Sequence, residues 1–200
     1  PNQQRLLKAL VETGKPIVLV LFTGRPLSLV WEDQNIPAIL NAWFAGSEAG
    51  LAIADVLFGD FNPSGKITMT YPRNVGQIPI YYNHKNTGRP LTPGVEYEKF
   101  RSAYLDVSNE PLYPFGYGLS YSTFEYSDLR LSSTTLKAGE SLKATITVKN
   151  TGKFDGHEVV QLYIRDLVGT ITRPVKELKG FRKIFIEKGT STEVEFILKP

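Results

Sequence analysis

At 200 residues, with 42% hydrophobic and 22% charged positions, the chain has the size and balance of one large or two small globular domains. A net charge of +3 spread over scattered lysines and arginines offers no basic stripe for nucleic acid, and no apolar run is long enough to span a bilayer. The absence of cysteine removes disulfide frameworks, thiolate nucleophiles and cysteine zinc sites together.

In chain order, Gln4 to Val11 places Leu6, Leu7, Leu10 and Val11 on one face and predicts the end of an amphipathic helix, stopped at Thr13-Gly14-Lys15-Pro16. The start, Pro1-Asn2-Gln3-Gln4, has neither an initiating Met nor a signal peptide and reads as a cut inside a longer protein. Ile17 to Phe22 is a continuous β-branched run, expected as a strand buried on both faces of a parallel sheet. Leu27 to Trp31 predicts a short strand or extended segment, and Ile36 to Phe44 a second buried strand. Ser47 to Phe58 predicts a helix with Gly59 at its C-cap, giving the strand–helix alternation of an α/β fold.

From Asp60 to Asn109 the chain is rich in Pro, Gly, Asn and Tyr, with one extended piece at Lys66 to Tyr71. Such a stretch usually carries functional loops. Leu112 to Phe124 then alternates aromatic rings with glycines and reads as a joint that locks two domains or lines a cleft between them. Beyond it, Ser141–Lys149, Glu158–Arg165, Lys176–Ile186 and Ser191–Leu198 alternate apolar and polar residues, the pattern of a β-sandwich. About five strands fit between Glu125 and Pro200 where an immunoglobulin-like sandwich uses about seven. The α/β part likewise shows fewer strands than a stable open sheet. The expected fold class is therefore a partial α/β open sheet followed by an incomplete immunoglobulin/fibronectin III-like sandwich. Its divisions fall at residues 1–111, 112–124 and 125–200.

The groups able to carry chemistry are few. His84 lies in the polar loop 81–86, and His157 reads as a solvated turn before a strand; neither has partners at metal-ligand spacing. No Gly-x-Ser-x-Gly elbow, Walker loop or dinucleotide fingerprint occurs. Glu48 opens a helix at the C-terminal edge of the sheet, where it fits an N-terminal cap better than a substrate contact. Trp43 fits either a ring stacked on a sugar or a core ring. Asp60, Glu96, Glu98, Asp106 and Glu110 are the remaining loop carboxylates. A retaining glycosidase needs two carboxyl groups about 5–5.5 Å apart, which sequence spacing does not establish. From these residues alone an enzyme part, a binding module and a scaffold all stay open.

Three stretches resemble the second domain of family 3 glycoside hydrolases: Gly24-Arg25-Pro26-Leu27, Ala42-Trp43-Phe44-Ala45-Gly46-Ser47-Glu48-Ala49-Gly50 and Asp55 to Ile67. Leu112 to Phe124 resembles that family's link into a fibronectin type III-like domain, and Asn150-Thr151-Gly152 with Arg173 to Phe181 resembles the sandwich itself. Val75 to Pro79 and Asn86 to Pro90 are similar to the bacterial periplasmic β-glucosidase branch. The resemblance implies a retaining enzyme with a (β/α)-barrel, an α/β sandwich and a fibronectin-like domain, acting on terminal non-reducing β-D-glucosyl residues in the periplasm or outside the cell. It places the nucleophilic aspartate and the acid/base glutamate upstream, so that no residue here is catalytic and this chain alone is inactive. Glu48 and Asp60 match structural positions.

Cleft lining is expected from Tyr104 and Asp106, although Ala103 and Leu105 depart from the family's aromatic–Arg–Tyr–aromatic–Asp loop. His84, Asn86, Arg89 and Trp43 complete the candidate set. The implied ligands are β-linked glucosides or oligosaccharides, with no cofactor, metal, nucleic acid or membrane insertion. β-Xylosidase and arabinofuranosidase share these motifs. A non-catalytic carbohydrate-binding module would instead show an exposed aromatic platform, whereas Tyr163, Phe181, Phe185 and Phe196 alternate as core residues do. The missing strands leave edges and apolar faces that predict self-association.

Overall fold

The computed structural model describes residues 2–92, 94, 95 and 97–199, so Pro1, Glu96 and Pro200, named above, lie outside the described residues. Helix α1 (Asn2–Glu12) leads to strand β1 (Val18–Leu21). Helix α2 (Val30–Asn35), strand β2 (Ala38–Asn41) and helix α3 (Ala49–Phe58) follow. The two strands pair in parallel, Val18 opposite Ala38 through Leu21 opposite Asn41. Gly59 ends α3 in the left-handed conformation at φ 88.

Leu27–Trp31 is not a strand. Leu29 and Val30 pack in an apolar cluster with Tyr71 and Leu112, and the chain turns into α2 above them. Asp33 and Ile36 close this short helix with backbone bonds to Leu29 and Glu32, while Glu32 and Asp33 suit its first turn. Packing here overrides the β preference of Val30 and Trp31. Strand β2 is also shorter than Ile36–Phe44, because the backbone leaves the sheet at Trp43, whose φ is 51.

Residues 60–123 contain a single 3-10 turn at Val75–Gln77 among the described residues. Lys66–Tyr71, expected to be extended, bends at Thr68 and Met69 and pairs on either side of that bend. Ile67 exchanges backbone bonds of 2.8 Å with Gly116 and Tyr117, and Tyr71 exchanges 2.9 Å bonds with Leu112 and Tyr113. The aromatic–glycine segment is thereby laid along the α/β part. Gly118 passes so close to it that a Cβ would collide with the Gly65 carbonyl oxygen.

Five antiparallel strands form the sandwich: β3 (Phe124–Leu131), β4 (Leu142–Asn150), β5 (Gly156–Ile164), β6 (Glu177–Ile186) and β7 (Ser191–Leu198). One sheet has the order β3-β4-β7, and the other pairs β5 with β6. Alternate residues meet between the sheets in a core of Val148, Val160, Ile186, Val194 and Phe196.

His157 lies within β5 rather than in a turn, its ring 5.2 Å from that of Phe185 across the pair. Phe181 and Phe185 are not core. They point from the outer face of β6 and are 65% and 53% exposed, whereas Phe196 is buried. Alternation alone does not say which face is covered.

The two parts are joined by specific contacts. Tyr82 stacks on Phe115 with centroids 4.2 Å apart and meets the edge of Tyr163 in β5. Asn62 donates to the Asp155 carbonyl at 2.9 Å and accepts from Ser120 Oγ at 2.8 Å and Tyr121 N at 2.9 Å. A single side chain thus ties the α/β part, the joint and the sandwich together.

Candidate functional site

The candidate residues other than Trp43 occupy loops between residues 81 and 109, outside the named helices and strands. Their scaffold is Gln77, buried in the 3-10 turn. Its Oε1 accepts from Arg73 N at 2.6 Å and Asn74 N at 3.2 Å, and its Nε2 donates to the Ser108 carbonyl at 2.8 Å. Arg73 Nε adds a 3.2 Å bond to the Glu110 carbonyl. The base of the 102–109 loop is therefore anchored to a buried amide. Gln77 lies within the Val75 to Pro79 stretch quoted above, and the local signal for this anchor is the spacing Asn74-x-x-Gln77, which forms a capping box.

Within that loop, Asn109 accepts from Tyr104 N at 3.1 Å and donates to the Ser102 carbonyl at 2.8 Å. Tyr104, Leu105 and Asp106 stand exposed at its tip. Arg89 lies beside the loop's start, its carbonyl accepting from Ser102 N at 2.9 Å. Backbone bonds therefore bring Arg89 and the Tyr104–Asp106 loop together. Val95, Tyr97, Phe100 and Leu105 are all exposed nearby in sequence, giving this region an uncovered apolar surface. Glu98 is held below the usual carboxylate range, chiefly by the Thr92 hydroxyl at 2.8 Å, with Arg101 beside it.

His84 and Asn86 follow a different path. The His84 carbonyl accepts from Val175 N at 2.9 Å, and Lys85 forms a β-bridge with Pro174. Their loop is docked on the β5–β6 connection of the sandwich, with the His84 ring exposed. Trp43 is half-buried beside the apolar cluster, its ring 6.1 Å from that of Tyr71. Glu48 occupies the N-cap position of α3, but its side chain makes no capping bond. Among the described residues no three His, Asp or Glu side chains gather as metal ligands.

Sequence and fold together define a class. Residues 1–121 match the Glycosyl hydrolase family 3 C-terminal domain, and residues 158–200 match a Fibronectin type III-like domain. The chain belongs to glycoside hydrolase family 3. It is 56% identical over 197 residues to the Periplasmic beta-glucosidase of Salmonella typhimurium, an alignment covering 98% of this chain and 26% of that protein. With a Beta-xylosidase of Formosa agariphila it shares 43% identity, covering 98% of this chain and 26% of the relative. A mutant beta-glucosidase of Listeria innocua, solved in complex with laminaribiose, superposes with a TM-score of 0.92 at 48% identity, covering 98% of this chain and 27% of that one. The chain spans about a quarter of the length of these relatives.

Proposed function

We propose that this chain is the C-terminal part of a retaining β-glucosidase that releases terminal non-reducing β-D-glucosyl residues. In that enzyme it braces and lines the cleft, while the nucleophilic aspartate and the acid/base glutamate come from elsewhere. The observation that carries this reading is the continuity of the likeness, which runs from the α/β part through the joint into the sandwich. We divide the chain at residues 1–111, 112–124 and 125–200, the α/β domain, the joint and the fibronectin type III-like domain.

The wall of the cleft is assigned to Tyr104, Asp106 and Arg89, with His84 and Asn86 on the neighbouring loop and Trp43 beneath. The bonds that tie Arg89 to the Tyr104 loop support this, as does the exposed apolar surface around them, which suits burial against another part of an enzyme. The name of the Salmonella relative supports a periplasmic or secreted location for the parent. Hydrolysis of aryl β-D-glucoside by the full-length parent tests the reading; a parent that releases no product defeats it.

Two further readings each rest on a specific observation. The Formosa relative favours β-D-xylosides as substrates, with arabinofuranosides in the same class, and parallel assays on those aryl glycosides separate them. The exposed rings of Phe181 and Phe185 favour a non-catalytic carbohydrate-binding module, which an active parent rules out.

A further inference from the structure

At the domain joint lies a cleft of about 310 Å³, lined by none of the residues assigned above, although Tyr82 of the His84 loop packs on its Phe115 and Tyr163. The volume is at the lower end of small-molecule sites. Its wall holds an ion pair drawn from both domains: Lys66 Nζ is 3.4 Å from Glu158 Oε2, with both side chains largely buried. Lys66 also donates to the Gly118 carbonyl at 2.8 Å, and Tyr126 Oη donates to Glu158 Oε1 at 2.9 Å. At the other side Gln161 Nε2 donates to the Gly116 carbonyl at 3.0 Å, and its Oε1 accepts from Tyr163 Oη at 2.6 Å. A Cβ at Gly116 would collide with these two side chains, so the lack of a side chain there lets Gln161 and Tyr163 close onto the joint backbone.

These bonds leave capacity unused. An ammonium has three donors and Lys66 uses two; a carboxylate has about four acceptor positions and Glu158 uses two; one N–H of Gln161 remains. Lys176 adds an exposed ammonium 5.6 Å from the Tyr163 ring centre, with no ion pair among the described residues. The rings of Tyr117, stacked on Tyr113 on one side, and of Tyr126 line the cleft beside these groups and supply apolar area.

Alternating donors and acceptors next to aromatic faces suit a neutral polyhydroxylated ring. A simple anion fits poorly, because Glu158 offsets Lys66. We propose that the joint cleft is a non-catalytic pyranoside-binding site built from both domains. This assignment is independent of the enzymatic reading, since it concerns residues outside the loops given to the cleft wall.

The test is ¹H–¹⁵N TROSY NMR of the deuterated full-length parent, its catalytic centre saturated with gluconolactone, titrated with methyl β-D-glucopyranoside and with laminaribiose. Saturable shifts are expected at the amides of Gly116, Tyr117, Val159 and Gln161. Apparent affinity should fall about tenfold in Lys176→Met, whose side chain is exposed, and in Tyr126→Ala, which removes the aromatic face, the size of losing one charge-assisted or stacking contact. Dispersed spectra of both variants verify their fold. The proposal is overturned by no saturable shift up to about 50 mM sugar. It is equally overturned by shifts centred on Phe181 and Phe185, or by unchanged affinity in both variants.

Discussion

Ser122 Oγ lies 2.6 Å from Asn150 Oδ1, so that the end of the joint is bonded to a fully buried amide of the sandwich. The same Oγ is 2.8 Å from the Phe154 carbonyl, and its one proton serves one acceptor at a time. Asn150 Oδ1 also accepts from Gly152 N at 3.0 Å. Its Nδ2 donates to the carbonyls of Phe154 at 2.8 Å and Ile186 at 3.0 Å. All of Asn150's polar capacity is thus spent where the joint meets β4 and β6.

Asn150→Ala should therefore cost about 3 kcal/mol or more, because several buried groups lose partners together. Ser122→Ala removes one hydroxyl and should cost about 1 kcal/mol. Urea unfolding checks both. Equal, small losses would show that the amide is not the hub.

Glycine substitutions should separate close packing from helix propensity. In Gly118→Ala the new Cβ collides with the Gly65 backbone, which has no flexible end to give way, so a loss of about 2 kcal/mol or more is expected. Gly50→Ala places its Cβ in open space within α3 and should stabilise by about 0.5–1 kcal/mol. Thermal unfolding of the pair reads the contrast directly.

Alkaline stability should depend on the tyrosines that pack the joint. Burial, then the 2.6 Å bond to Asp33 Oδ1, pushes the Tyr113 hydroxyl well above its ordinary value. Tyr126 is raised by burial and by its bond to Glu158, and Tyr71 by burial. A raised folded value favours the neutral hydroxyl. The contribution is complete below the unfolded value of about 10 and is lost as pH climbs through the higher folded values. Unfolding free energy should fall above that pH, and less steeply in Tyr113→Phe. An unchanged slope in the variant would remove Tyr113 from the explanation.

The isolated chain should self-associate. Helix α3 is apolar on most sides yet has no fully buried residue, with Phe58 84% and Leu51 68% exposed. Phe22 and Phe44 are exposed beside the two-stranded sheet as well. Apolar surface of this extent favours association. Light scattering should show mass rising with concentration, and a constant monomer mass would count against it.

Much of this architecture is legible in residue patterns. Ile17–Phe22 marks β1, the alanine- and leucine-rich run with Gly59 marks α3, and period-two alternation marks β4 to β7 to within a few residues. What escapes is decided by contacts distant in sequence. Val30 and Trp31 prefer strands but turn into α2 above Tyr71 and Leu112. Phe181 and Phe185 alternate like core residues on a face that the other sheet does not cover. The candidate loops show the same limit. Their residue types suggest display, but the anchor at Gln77 and the bonds joining Arg89 to Ser102 appear only when residues 73–110 are seen folded.

On the proposed reading, this chain completes a β-glucosidase whose reacting carboxylates lie outside it. Assays of the full-length parent and of the 200-residue chain, side by side on an aryl β-D-glucoside, decide the matter. Steady product release is expected from the parent and none from the chain. Product released by the chain alone, or an intact parent that releases none, would contradict that reading.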